Sequence, residues 1–432
     1  MGRSGNKGRK TSKTSSFASQ NKRSDSDSED GHSEISHATM DSIGSHPSQD
    51  TSPSMTRGGS QQSLRDEPFS FGEECTDSTF LKAFEDLGEK RASVRETALN
   101  QIIKGLSNKY RHDLLDGKMS SWIDPVKRCA RRDGPEGILA NRVLSLLWIS
   151  GGSQPAFYDD VIKILQDGIR DGSSEIKPSS IIALAIISLI EDMGDSATWE
   201  LLDYFEDVIS AHDEEEIVIH AAVEAYGLLY PSASTRQGQE GYNRILDAHV
   251  ELLESDDVDV RIAAGENIAI VIEDRMATAE EDEAPKTEPY YESKNELLQQ
   301  LRFLSQDSQR HRAKKERSVQ KSAFRDILNT VESNTTPLVK LKIKQETLEC
   351  NSWIKIRRLN ALRDAIGEGF SVHLSENQTV QQILHLSFDG PTMGKVTSTD
   401  RRLFQSIIGK ARTKALKEMR GSRTSLKIGN ND

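Results

Sequence analysis

Small residues recur inside amphipathic helical runs at intervals of roughly 40 residues, and this spacing constrains the fold more than any other feature of the chain. The runs are Ser93 to Leu106, Gly137 to Ile149, Ile176 to Ile190, Ile217 to Leu229, and Val258 to Ile272. Two of them open on the same phrase, V-R-x-x-A: Val94-Arg95-Glu96-Thr97-Ala98 and Val260-Arg261-Ile262-Ala263-Ala264. Alanine pairs such as Ala183 and Ala185, Ala221 and Ala222, and Ala263 and Ala264 would let stacked helices approach closely. Ile and Leu would fill the layers between them. No Val/Ile/Thr alternation over the same stretch suggests strands. The pattern points to an all-α fold with an armadillo/HEAT-like solenoid at its centre, in preference to an ordinary helical bundle. Gly151-Gly152, Gly172 and Pro231-Ser232 punctuate the repeats, and an acid such as Asp256 or Asp257 at a repeat start can cap a helix.

Outside this region the composition shifts. Residues 1–75 are rich in Ser, Asp, Gly and Thr and poor in aromatics, so they read as a disordered tail. Within it Ser24, Ser26 and Ser28 alternate with acids, a pattern suited to phosphorylation or simply to a solvated tail. The solenoid is expected over 76–293, ending in an acidic, proline-bearing linker from Ala277 to Lys294. A small C-terminal domain is expected over 294–390. In it Leu338 to Ile343 alternates like a short strand, and Trp353 to Ile366 reads as a helix closed by Gly367. A basic tail helix is expected over 391–432, with Thr399 or Asp400 as cap.

Charge is strongly segregated. Residues 67–293 carry 21 Lys/Arg against 46 Asp/Glu, a net of −25, whereas residues 294–432 carry 26 against 14, a net of +12. A basic surface that meets polyanions is thus attached to a body that polyanions repel. Two elements concentrate the positive charge. One is the run containing Arg310, Arg312, Lys314, Lys315, Arg317, Lys321 and Arg325. The other holds Arg401, Arg402, Lys410, Arg412, Lys414, Lys417 and Arg420, with Leu403, Ile407, Ala411, Ala415 and Met419 on one slanted stripe. The stripe is thin, and Phe404 is its only aromatic residue, so RNA suits it better than a membrane. A solvated helix or a nuclear-import signal is the plainer alternative.

No catalytic constellation stands out. Cys350 and His373 have no spacing that requires proximity, and packing is the favoured role of both. His311, His373 and His385 lack metal-ligand spacing. Gly367 and Gly369 lack the rest of a phosphate loop, and fit a helix end and a tight turn before Phe370. Cys75, Cys129 and Cys350 form no CxxC pair, which suits a reducing compartment. The longest apolar run, Ile181 to Ile190, is too short for a bilayer, and Met1 to Lys10 is not a secretory signal. Neither a cofactor nor a small-molecule substrate is expected.

The order of phrases in the last third carries a resemblance. The basic run is followed by Phe324-Arg325-Asp326-Ile327-Leu328, then Val331-Glu332, then Ser352-Trp353, then Gly367-Glu368-Gly369-Phe370-Ser371-Val372-His373-Leu374-Ser375-Glu376-Asn377. In this it resembles the C-terminal domain of the interferon-related developmental regulators. The resemblance implies a non-enzymatic regulator with an armadillo-type N-terminal domain. It implies one of two roles: ribosome-associated repression of translation, with a C-terminal helix in the tRNA path, or nuclear co-regulation of transcription with transcription factors and histone deacetylase complexes. The tail from Asp400 to Ala415 matches the tRNA-path helix. The charge pattern favours ribosomes and rRNA as partners and the cytoplasm as the main compartment, with a nuclear role as the alternative.

Overall fold

The computed structural model describes residues 75–211, 213–233, 239–281, 291–306, 314–343 and 346–386. These residues form sixteen α-helices, two single 3-10 turns and one two-stranded hairpin, with their connections. The five apolar runs form α2 (Ala92–Asn108), α5 (Pro135–Gly151), α7 (Lys177–Glu191), α9 (Glu216–Leu229) and α11 (Val258–Glu281). Each packs on the next, forming one continuous inner layer. An outer helix precedes each: α1 (Asp77–Asp86), α4 (Met119–Ala130), α6 (Pro155–Asp171), α8 (Asp195–Ile209) and α10 (Gln239–Glu251). The short α3 (His112–Leu115) joins the first two pairs. An all-α solenoid is therefore the fold of this chain.

The solenoid continues beyond the five runs. Helix α12 (Lys294–Gln306) pairs with α13 (Lys314–Ser333), and α13 stacks on α11 as a sixth inner helix. Its apolar positions Phe324, Ile327 and Val331 are buried. The basic phrase that includes Arg317 and Lys321 thus begins a core helix.

Polar rungs tie the starts of successive inner helices together. Arg95 donates to both carboxylate oxygens of Glu136 at 2.8 and 2.7 Å, and to the carbonyls of Glu89 and Lys90 in the preceding loop. Asn141 donates to Ser180 at 2.9 Å, Lys177 pairs with Glu214, and Arg261 donates to Gln320 at 2.8 Å and to the Ser255 carbonyl. The arginine of V-R-x-x-A therefore closes its own entry loop and reaches the next repeat, which explains why an otherwise apolar helix opens on a cation. Asp257 caps α11, its Oδ1 accepting from the amides of Asp259 and Val260 at 2.8 and 3.1 Å.

After α13 comes a hairpin of β1 (Val339–Ile343) and β2 (Glu346–Cys350), antiparallel with Val339 opposite Cys350. The chain then forms α14 (Trp353–Ile366), α15 (Phe370–Glu376) and α16 (Gln378–Ile383). These three helices turn back across the inner layer. Helix α14 packs on α11, α9 and α5, α15 on α2, and α16 on α5. Trp353, Leu359, Leu362, Ile366, Phe370, Leu374 and Val380 join the same apolar core as the solenoid.

Candidate functional site: the inner face and the basic helix

The inner face of a solenoid is where an extended partner is ordinarily held. Here residues 352–386 lie along it, and named polar contacts fix them at four places. The first is the start of α14. Ser352 caps the helix and donates to Glu273, which also accepts from the Ile354 amide at 3.3 Å. A carboxylate at a helix N-terminus is favoured by the exposed amides and the helix dipole. The Trp353 indole donates to the Thr330 hydroxyl at 2.9 Å and so ties this end to α13.

The second place is the middle of α14. Arg357, buried, pairs with Glu266 at 2.9 Å and Glu224 at 3.4 Å, and donates to Asn267 at 3.2 Å. Asn267 in turn donates to the Val223 carbonyl and to His249, whose Nδ1 donates to the Ile245 carbonyl at 2.9 Å. Burial holds His249 down to about 4, so it is the neutral acceptor this network needs. A Cβ on Gly227 would fall 1.9 Å from Asn267 Oδ1, which is why glycine stands there. Burial also raises the Glu266 carboxyl above its usual range, with Arg357 pulling the other way.

The third and fourth places use the phrase from Gly367 to Asn377. Gly367 closes α14 at φ 78°, a conformation glycine adopts freely. Gly369 then passes so close to α2 that a Cβ would meet the Ser107 carbonyl at 1.8 Å. His373 donates through Nε2 to the Leu106 carbonyl at 2.7 Å and accepts through Nδ1 from Asn377 at 3.0 Å. Asn377 also donates to the Ile149 carbonyl at 2.8 Å, while its Oδ1 caps α16 through Thr379 and Val380. The carbonyls of Leu106 and Ile149 belong to the last turns of α2 and α5, where helix carbonyls lack intrahelical donors. The GxGFxVHLxEN phrase is thus a clasp that seats the C-terminal helices on the ends of two inner helices.

These contacts also place the remaining residues singled out from the sequence. Cys350 is buried at the end of β2, where burial raises its thiol, and His373 is committed to the clasp. Arg317 and Lys321 are half-buried on α13, and Lys314 and Lys315 start the same helix. Arg310, Arg312, Arg401, Arg402, Lys410, Arg412, Lys414, Lys417, Arg420, Ser24, Ser26 and Ser28 lie outside the described residues. A cavity of about 280 Å³ lies beside the α5–α6 turn, lined by His112, Leu115, Met119, Gln154 and Phe157 among others. Among the described residues no cluster of three His, Cys, Asp or Glu side chains could hold a metal ion, and no helix is long and apolar enough to cross a membrane.

The sequence model of the interferon-related developmental regulators matches residues 40–332, more than half of the 432-residue chain. The chain belongs to the interferon-related developmental regulator family. It is 28% identical over 373 residues to interferon-related developmental regulator 1 of Mus musculus, covering 80% of this chain and 81% of the relative. Regulator 2 of the same species is 28% identical over 376 residues, with coverage of 80% and 82%. An uncharacterised protein of Schizosaccharomyces pombe is 27% identical over 234 residues, about half of each chain. The family match ends within α13, so the clasp at 367–377 lies beyond it.

Arg357, Arg358, Glu273 and Asn267 are the residues that sequence reasoning missed. Arg357-Arg358 looked like two more cations in a basic third, and only the fold-back reveals that both are buried.

Proposed function

We propose that this family member is a non-catalytic regulator that binds ribosomes through its basic C-terminal third and represses translation. The observation that carries this reading is a filled inner face beside an outer face that exposes carboxylates. Helices α14 to α16 fill the inner face, so that groove is taken by the chain itself. The outer helices α6 and α8 expose Asp159, Asp160, Asp171, Asp195, Glu200, Asp203 and Asp207, a surface that repels RNA. Cations of residues 399–427 then supply the polyanion contacts. In this reading the tail occupies the tRNA path by phosphate contacts and excludes tRNA sterically. The protein works chiefly in the cytoplasm and needs no cofactor.

The test is co-sedimentation of the full chain and a chain lacking residues 399–427 with ribosomes on a sucrose gradient. Full-length protein is expected in the ribosomal fractions and the truncated protein at the top. Equal co-sedimentation of both would overturn the reading. Recovery of both away from ribosomes but with chromatin would favour the co-regulator role, in which the acidic outer surface recruits transcription factors or deacetylase complexes.

A further inference from the structure

Arg357 and Arg358 are neighbours on α14 and both are buried, yet their surroundings differ. Arg357 has two carboxylates. Arg358, 9% exposed, has no carboxylate within ion-pair distance among the described residues. Its Nη2 donates to the Ser232 hydroxyl at 3.2 Å, and its Nη1 donates to the Ile383 carbonyl at 3.4 Å and lies 3.1 Å from His385 Nε2. Its Nε has no partner. Asp192 acts on it only from a distance. Burial disfavours the protonated form of His385, and the nearby charges of Arg358 and Lys355 add to this. Burying a guanidinium without a counter-ion is costly, and natural cores rarely leave one so. The hydrogen-bonding groups around Arg358 are a hydroxyl, an imidazole and a carbonyl, and of these the hydroxyl is the one that can be converted to an anion by modification.

Ser232 ends a single 3-10 turn after α9, is half-buried, and belongs to the solenoid, whereas Arg358 and His385 belong to the fold-back. We propose that Ser232 is a phosphorylation site whose phosphoryl group is bound by Arg358 and His385, fastening α14 and the turn after α16 to the solenoid. A protein kinase would transfer the γ-phosphoryl group of a nucleoside triphosphate. The Ser232 Oγ–P bond forms as the bond to the nucleoside diphosphate breaks, and the hydroxyl proton leaves to a base of the kinase. The phosphoryl oxygens then accept from Nη2 and Nε of Arg358, and the new dianion draws a proton onto His385. Modification thereby turns a hydroxyl contact into an ion pair between two elements distant in sequence. The proposal is independent of the partner the protein binds.

The experiment compares full-length protein bearing phosphoserine at 232, installed during translation, with the unmodified chain by hydrogen–deuterium exchange. Amides of α14 and α16 are expected to exchange about tenfold more slowly in the phosphorylated protein, the effect of one charge-assisted contact of about 1.5 kcal/mol. In Arg358→Gln that gain is lost, and in His385→Ala, an exposed position, it shrinks. No gain, faster exchange, or a gain retained in both variants would overturn the proposal. So would inorganic phosphate slowing exchange equally in the unmodified chain and in Ser232→Ala, because the anion would then come from solution. Peptide mapping of the protein from its own cells is expected to find phosphate on Ser232. Recovery of that peptide only unmodified, in both growing and starved cells, would also overturn it.

Discussion

Asn377 donates to the carbonyl of Ile149, 228 residues earlier in the chain, across 2.8 Å. That bond takes up a carbonyl that the end of α5 would otherwise leave without a donor. The same side chain fixes the His373 ring and caps α16, so all of its hydrogen-bonding capacity is used. Local capping and long-range docking are therefore one event at this residue.

Replacing Asn377 with Ala should leave the buried Ile149 carbonyl unpaired, at about 1–3 kcal/mol. The lost cap adds about 1 kcal/mol. Denaturant titration should register the loss, and hydrogen exchange should place it in α15 and α16 while α7 and α9 stay protected. Gly369→Ala tests the same docking by sterics: its added methyl meets the Ser107 carbonyl, so a cost of about 1–3 kcal/mol is expected. Full stability in either variant would mean that the clasp does not hold the fold-back in solution.

The pH dependence follows from His373. Burial holds its folded-state pKa below the ordinary value of 6.5, since the ring must stay neutral to accept from Asn377. The unfolded chain therefore takes up a proton first as pH falls. Stability from this residue is complete above about 6.5 and declines as pH drops from there through the lowered value. His249, held down to about 4, acts in the same direction. Asp326 opposes them: burial raises it to about 6, so its folded form keeps a proton longer and its contribution is lost as pH rises from the ordinary carboxylate range through about 6. His373→Gln should flatten the acid limb of a stability–pH profile, and Asp326→Asn should raise stability at pH 8 relative to pH 5. A profile that keeps its acid limb in His373→Gln would assign the pH dependence to other groups.

Arg95 and Glu136 are both buried, so removing Arg95 leaves the Glu136 carboxylate with the exposed Arg132, 3.2 Å away, in place of its buried bidentate partner. Arg95→Ala is expected to cost about 3–5 kcal/mol, whereas the double replacement Arg95→Met with Glu136→Leu should recover most of it. Thermal denaturation of the three proteins distinguishes a structural rung from a surface pair. A loss under about 1 kcal/mol in the single variant is the behaviour of an exposed pair and would contradict the buried geometry.

How far the sequence was legible depends on what each residue contacts. The five inner helices could be read because their periodic Ile, Leu and Ala face identical neighbours, a constraint that repeats every turn. Ala264 is fully buried where its small size called for close packing, and Trp353 is buried as an anchor. The helix from Trp353 to Ile366 and its glycine stop were visible because capping is local. The sixth inner helix was obscured because α13 opens on Lys and Arg and its pair with α12 follows a linker that breaks the spacing. The fold-back was invisible for a different reason. Arg357 and Asn377 look like surface residues, His373 reads as packing within its own module, and their partners Glu266, Leu106 and Ile149 lie far away in sequence. No periodicity encodes a single long-range contact.

The ribosome reading makes its own demand on the tail. Replacing Lys410, Arg412, Lys414 and Lys417 with Glu should abolish stable ribosome association if these cations contact phosphates. The melting temperature should not change, because the core of the described residues is complete without them. Binding of the unaltered protein should weaken steeply with salt. Each phosphate neutralised on a single strand contributes about −0.7 to the log–log slope, so four contacts give roughly −3. A protein partner would show a shallower slope and would respond instead to apolar changes at Leu403 and Ile407. Gradient fractions collected across a salt series separate the two. Ribosome binding that survives the four reversals would sink the tRNA-path mechanism, and the cations of α13, led by the half-buried Arg317 and Lys321, would then be the next surface to reverse.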